Sequence, residues 1–352
     1  MKKTLLLLAL TLSVALCAQT FPTSGWNRVT PAKHGFDVEK LEEARRFVTD
    51  SMRTTGLMIA IGGESIFEYG SLTRISYLAS VRKSVLAMIM GKYVENGIIN
   101  LDMTVGELIA NGVIPDDVDG LLSIEKQATI RQLIQSRSGV YHNASNSGDD
   151  ADLRPARGSK QPGEFYLYNN WDFNAAGAIF EGLVGRSIYE IFQDDIAKPI
   201  GMQDFELDNQ RKSGDTSRSK FQAYHIFLST RDMARVGHLM LRGGRWENQQ
   251  IISPSWMEEM LTVYTPSSEL ILTRPNRRMF SYSYMWWIFD AENSPPALKG
   301  AYTGTGYFGQ YITVIPELDM VIAHKTDDVY GRRTFFEAYY KFVQMVINAK
   351  NR

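Results

Sequence analysis

Cysteine is almost missing from this chain. Cys17 is the only one among 352 residues, which excludes an internal disulfide framework. If the chain is cut after Ala18, thiol catalysis and Cys-ligated metals are excluded too. An excess of charge of one sign is also missing. The 38 Lys and Arg residues balance 39 Asp and Glu, leaving −1, so no electrostatic footprint for nucleic acid is present. H-E-x-x-H and similar metal spacings are absent. G-x-S-x-G is absent, which leaves the nucleophile elbow of α/β-hydrolases unsupported. Beyond the first residues no apolar run is long enough to span a bilayer. Stable membrane insertion is therefore not expected.

The chain starts Met1-Lys2-Lys3 and continues Thr4-Leu5-Leu6-Leu7-Leu8-Ala9-Leu10. A basic start, a short apolar run and a small-residue exit make a secretory signal. Cleavage after Ala18 is expected, leaving residues 19–352 as a single periplasmic or secreted domain. Leu16 is bulky where a lipoprotein signal usually has a small residue, so a lipid anchor at Cys17 is not expected. A hydrophobic share of 44% is ordinary for a globular protein, and the length suffices for one large core or two packed lobes.

Residues 38–52 carry Leu41, Ala44, Phe47 and Val48 at helical spacing. Leu57–Ile61 and Ser65–Gly70 flank Gly62-Gly63 and read as a β-hairpin. An apolar helix follows Ser80 and stops near Gly97. The 139–164 loop, rich in Gly, Ser, Asn, Asp and Pro, is long enough to line a site. Another helix is expected over 171–184. Ser229-Thr230-Arg231-Asp232 has the form of a capping box heading a helix that ends before Gly243-Gly244. Strand patterns return at Met285–Phe289, Gln310–Ile315 and Met320–His324, and a last helix covers about 333–349. Strands at both ends with helices between imply an α+β fold: an antiparallel sheet flanked by helices, plus a helical lobe. The sheet lobe is expected from about 30–75 and 280–350, the helical lobe from about 80–245, with a cleft between them.

Ser80-Val81-Arg82-Lys83 matches S-x-x-K, the acyl-enzyme signature of penicillin-interactive proteins. Residues i and i+3 share one helix face, so the Lys83 amine comes near the Ser80 hydroxyl. Burial or a second cation lowers the amine's proton affinity and frees its lone pair. Ser123-Ile124-Glu125-Lys126 and Ser217-Arg218-Ser219-Lys220 match as well, but in charged stretches. Ser80 alone opens an apolar helix just after a hairpin. Its plain alternative is a helix cap.

Pro162-Gly163-Glu164-Phe165-Tyr166-Leu167-Tyr168-Asn169-Asn170 resembles the P-G-x-x-F-x-Y-S-N segment of the serine β-lactamase family. That family includes class C β-lactamases, DD-carboxypeptidases, D-aminopeptidases, esterases and 6-aminohexanoate-dimer hydrolase. The resemblance covers roughly residues 30–345 and implies the β-lactamase/transpeptidase-like fold. It implies Ser80 as nucleophile, Lys83 as base and Tyr168 as proton relay, partly ionised by a neighbouring ammonium. Asn170 would hold Lys83 and a substrate carbonyl. Asn169 replaces the family's serine. Tyr141-His142-Asn143 also fits Y-x-N but lacks the P-G lead; Tyr141 is a candidate to line the cleft.

The family's third motif, K-T-G, H-T-G or a looser A-S-G, falls near Tyr302–Ile312. Counting back from Gly309-Gln310 favours Gly304-Thr305-Gly306, and Tyr302-Thr303-Gly304 is the other register. In the favoured one, Thr305 and Gly306 line the substrate strand. The Tyr307 N–H joins that of Ser80 as oxyanion donor. Neither register supplies a Lys or His, the cation that would grip a carboxylate. The resemblance therefore implies an ester or amide hydrolase acting on a small-molecule or peptide-like substrate, with no cofactor. A DD-carboxypeptidase, D-aminopeptidase or β-lactamase stays open, as does a non-catalytic binding protein of the same fold. Arg82 faces solvent or a substrate acid, His225 is a candidate to face the cleft, and His324 reads as packing. Trp171, Tyr302 and Phe308 suit an apolar pocket, although aromatic residues are core more often than site.

Overall fold

The computed structural model describes residues 20–116, 118–273, 277–289 and 292–351. The expected leader, with Cys17, lies outside the described residues. The main sheet has eight strands: β1 Asn27–Arg28, β2 Gly56–Ile61, β3 Glu64–Gly70, β4 Phe280–Tyr282, β5 Trp287–Phe289, β6 Tyr302–Gly306, β7 Gln310–Ile315 and β8 Met320–Lys325. Their order is β1-β3-β2-β8-β7-β6-β5-β4. The early hairpin thus pairs directly with the late strands, Ile59 opposite Ile322 and Leu57 opposite His324. The sheet is mixed rather than wholly antiparallel, because β1 runs parallel to β3.

Every residue of β2, β7 and β8 is buried. Helices cover both faces, which explains why these strands read as near-continuous apolar runs. On one face lie the first and last long helices, Val38–Ser51 and Phe336–Ala349. The Tyr339 hydroxyl is 2.6 Å from Thr313 Oγ1 of β7, and Phe342 packs on Phe67 of β3. On the other face lies the helix Thr230–Leu241. It sits on the sheet, although its position in sequence suggested the helical lobe. Only half of its expected capping box forms. Ser229 accepts from the Asp232 N–H, while the Asp232 carboxylate accepts from the N–H groups of Gln203 and Asp204.

The helix Val81–Glu95 is buried on nearly all sides. Trp256 packs against it and donates from Nε1 to the Ala87 carbonyl at 2.9 Å. With the helix Asn170–Val184 it forms the centre of the helical lobe. The Ser80 end of this helix abuts the edge of β6.

Candidate active site

Ser80 heads the helix Val81–Glu95, yet its hydroxyl makes no capping hydrogen bond. Ala79 just before it sits at φ +49°, left-handed backbone that a non-glycine residue adopts only at a cost. The plain cap is therefore not what holds Ser80. Its Oγ lies 3.0 Å from Lys83 Nζ. The same nitrogen is 2.6 Å from Tyr168 Oη and 2.7 Å from Asn170 Oδ1. The rings of Tyr168 and Phe173 flank it, their centres 4.1 and 4.4 Å away.

Lys83 is 1% exposed. Its burial, and then the Arg82 guanidinium, hold its pKa well below the usual lysine value. A neutral amine has two N–H donors and one lone pair. Here it can donate to Asn170 and Tyr168 and take the hydroxyl proton of Ser80. The expectation of a partly ionised Tyr168 is corrected. Burial is the larger effect and pushes this phenol up to about 12. Tyr168 thus stands as a neutral phenol that can accept and pass on a proton.

The segment carrying Tyr168 is fixed from below by Ser136, whose backbone and hydroxyl bond Leu167 and Asn169. Asn169 caps the next helix by accepting from the Trp171 N–H at 3.2 Å. Asn170 turns Oδ1 to Lys83, while its Nδ2 donates to the Ser147 carbonyl at 2.9 Å. Asn170 thus ties the lysine to the 139–164 loop and keeps a second amide N–H.

A cleft of about 320 Å³ opens on Ser80 and Tyr168, and Thr305, Gly306 and Tyr307 line it. The structure thus brings the 304–306 register to the cleft. In the other register Tyr302 and Thr303 are buried, the Tyr302 hydroxyl bonding the Met240 carbonyl. A Cβ at Gly306 would come 2.4 Å from the Leu78 carbonyl oxygen and 3.2 Å from Ala79 Cβ. A glycine lets β6 press against the Ser80 turn, and this brings residues 305–307 beside the hydroxyl.

Several other expected residues lie elsewhere. Ser123 and Ser217, of the competing S-x-x-K matches, are exposed. Tyr141 is buried and does not line the cleft. Arg82 reaches neither solvent nor cleft. It is 1% exposed, bonds Asn174 and lies 4.2 Å over the Tyr224 ring. His225 belongs to a separate groove with Arg74, Tyr77 and Arg211. Trp171 bonds Asp119 within the core. His324 joins Thr54 to the Gly309 carbonyl inside the sheet. Conversely, Arg277, Trp287 and Arg333 line the cleft without a signal in any motif. Tyr311 lines it too; it lies in the third-motif segment but was not marked as lining a site. Strand patterns covered Trp287 and Tyr311 only.

The fold, with its strand edge beside a Ser–Lys helix, is the β-lactamase/transpeptidase-like one. The chain belongs to the beta-lactamase family, whose profile matches residues 51–342. It is similar to the 6-aminohexanoate-dimer hydrolase of Paenarthrobacter ureafaciens, 26% identical over 342 residues, covering 88% of this chain and 83% of that one. A Bacillus anthracis structure bearing a provisional 6-aminohexanoate-dimer hydrolase name superposes with a TM-score of 0.67 at 20% identity, covering 94% of this chain and 86% of that one. A family VIII carboxylesterase superposes with a TM-score of 0.63 at 16% identity, covering 88% and 97%.

Proposed function

We propose that this protein is an exported serine hydrolase that cleaves an ester or amide through an acyl-enzyme on Ser80. The observation that carries the reading is the buried Lys83 amine, 3.0 Å from the Ser80 hydroxyl and 2.6 Å from the Tyr168 hydroxyl. Ser80 Oγ attacks the substrate carbonyl carbon, and its proton passes to Lys83 Nζ. The N–H groups of Ser80 and Tyr307 receive the oxyanion. As the bond to the leaving group breaks, Lys83 returns the proton through Tyr168 to the departing oxygen or nitrogen. Water, deprotonated by the same pair, then attacks the ester carbonyl, and Ser80 leaves with its proton restored. Nothing in this sequence requires a cofactor. The leader over residues 1–18 supports export to the periplasm or medium.

The names of the relatives, a 6-aminohexanoate-dimer hydrolase and a carboxylesterase, support hydrolysis of an ester or amide here. The third motif, Gly304-Thr305-Gly306, carries no cation, which favours esters and amides over β-lactams or D-Ala-D-Ala peptides. The test is covalent labelling with a fluorophosphonate. Wild type is expected to label and Ser80→Ala to remain unlabelled with an unchanged circular dichroism spectrum. Labelling that persists in the variant refutes the assignment.

A further inference from the structure

Arg277 approaches the site from the strand side, a few residues before β4. Its guanidinium grips Asp150 of the 139–164 loop with both terminal nitrogens, Nη2 to Oδ1 at 3.0 Å. That bidentate geometry makes a directional pair. The two ends differ in surroundings. The Asp150 side chain is 5% exposed and the Arg277 side chain 20%, and Arg277, not Asp150, lines the cleft with Ser80. The guanidinium lies 5.2 Å from the Trp287 ring centre and 5.6 Å from that of Tyr168. Asp150 in turn donates its backbone N–H to the Tyr168 carbonyl at 2.9 Å. The pair is thus a fixed dipole in the wall of the cleft, its positive end at the cleft.

We infer that Arg277 is a positioning residue of the Ser80 site: clamped by Asp150, it seats Tyr168 and holds a fixed positive charge at the cleft. The inference rests on the Ser80 reading above. Four charged groups act on the Lys83 amine. Arg82 stands beside it on its own helix, Asp149 and Asp150 come from the loop, and Arg277 comes from the strand side. The Tyr168 phenol and the Asn170 amide complete its surroundings. The two arginines disfavour the ammonium form, and the two aspartates favour it. Removing Arg277 takes away a positive charge and so favours the protonated amine. Removing the Asp150 charge does the opposite.

The test is kcat/KM against pH for p-nitrophenyl acetate, using the full protein. Arg277→Met is expected to move the acid limb to higher pH by about half a unit or more, and Asp150→Asn to move it to lower pH. The double variant is expected back near wild type, and Arg277→Lys to keep the wild-type limb because the charge is retained. Opposite displacements mark a charge effect, since a merely structural role slows hydrolysis equally at every pH. Limbs that stay in place, or move the same way in both single variants, overturn the inference. Thermal melting accompanies each variant; if Arg277→Met does not fold, Asp150→Asn and Arg277→Lys decide. Hydrolysis surviving in Ser80→Ala overturns the Ser80 reading and the inference with it. Ser80-dependent hydrolysis with unmoved limbs overturns the inference alone.

Discussion

At the scale of single residues, chemistry here comes from what surrounds a group. Lys83 has no carboxylate in contact. Its bonded neighbours are a hydroxyl, a phenol and an amide oxygen, which solvate an amine without demanding a charge. A lysine paired with a buried carboxylate would stay an ammonium and be a poor base. Gly306 shows the same dependence sterically. Its missing side chain permits the close approach to Leu78 and Ala79. Gly306→Ala is expected to push β6 and the Tyr307 N–H away from Ser80. Loss of one oxyanion donor typically costs about 10²–10³ in rate, so kcat toward p-nitrophenyl esters should fall by about that factor. Steady-state kinetics check it, and an alanine variant with undiminished kcat would separate β6 from the oxyanion.

At the scale of elements, the position of the helix Val81–Glu95 decides whether the hydroxyl and amine meet the phenol. It is wedged between the sheet and the rest of the helical lobe. Gly91 faces Trp256 so closely that a Cβ would lie 2.2 Å from the indole Cδ1. Gly91→Val is expected to destabilise the protein by about 1–3 kcal/mol, the usual cost of overpacking a filled core. Urea denaturation measures this, and an unchanged midpoint would show that the indole can move aside. The elements themselves were partly legible. The hairpin around Gly62-Gly63 and the helices after Asp37, Ser80, Asn169 and Ser229 follow from periodicity and end signals. The strand Phe280–Tyr282 was not legible, because three residues carry too little pattern. The parallel pairing of Asn27–Arg28 was not legible either, since two exposed residues leave no alternation to read.

At the scale of the whole molecule, buried histidines link the fold to pH. Burial lowers His324 to about 4 and His238 to about 3. Both bond backbone carbonyls, of Gly309 and Thr20 respectively. In the unfolded chain an imidazole takes its proton near pH 6.5. As pH falls below that value the unfolded state binds protons that the folded state refuses, so stability drops until the folded histidine itself titrates. For His324 the window runs from about 6.5 to about 4 and amounts to on the order of 3 kcal/mol. His324→Gln keeps a donor and an acceptor for Thr54 and Gly309 without the proton equilibrium. Its urea midpoint is expected to fall less than that of wild type between pH 6.5 and 4. Parallel curves would remove His324 from the account.

The sequence by itself determined the local pieces: the hairpin, the capped helices, and the spacing that puts Ser80 and Lys83 on one helical turn. Those pieces depend only on neighbours along the chain, whereas Tyr168 was marked as a partner by the resemblance of the Pro162–Asn170 segment to the family's motif. Tertiary structure alone decided which residues meet across distance. It chose Gly304–Gly306 over Tyr302–Gly304, since only one register faces the cleft. It gave both ends of the Asn170 amide a partner, and it buried Arg82 against Tyr224. It also brought Arg277 to Asp150 across a sequence separation of 127. Proton affinities belong to this second class as well. Burial raises the Tyr168 phenol and lowers the Lys83 amine, and burial is a property of the assembled molecule, not of any stretch of sequence.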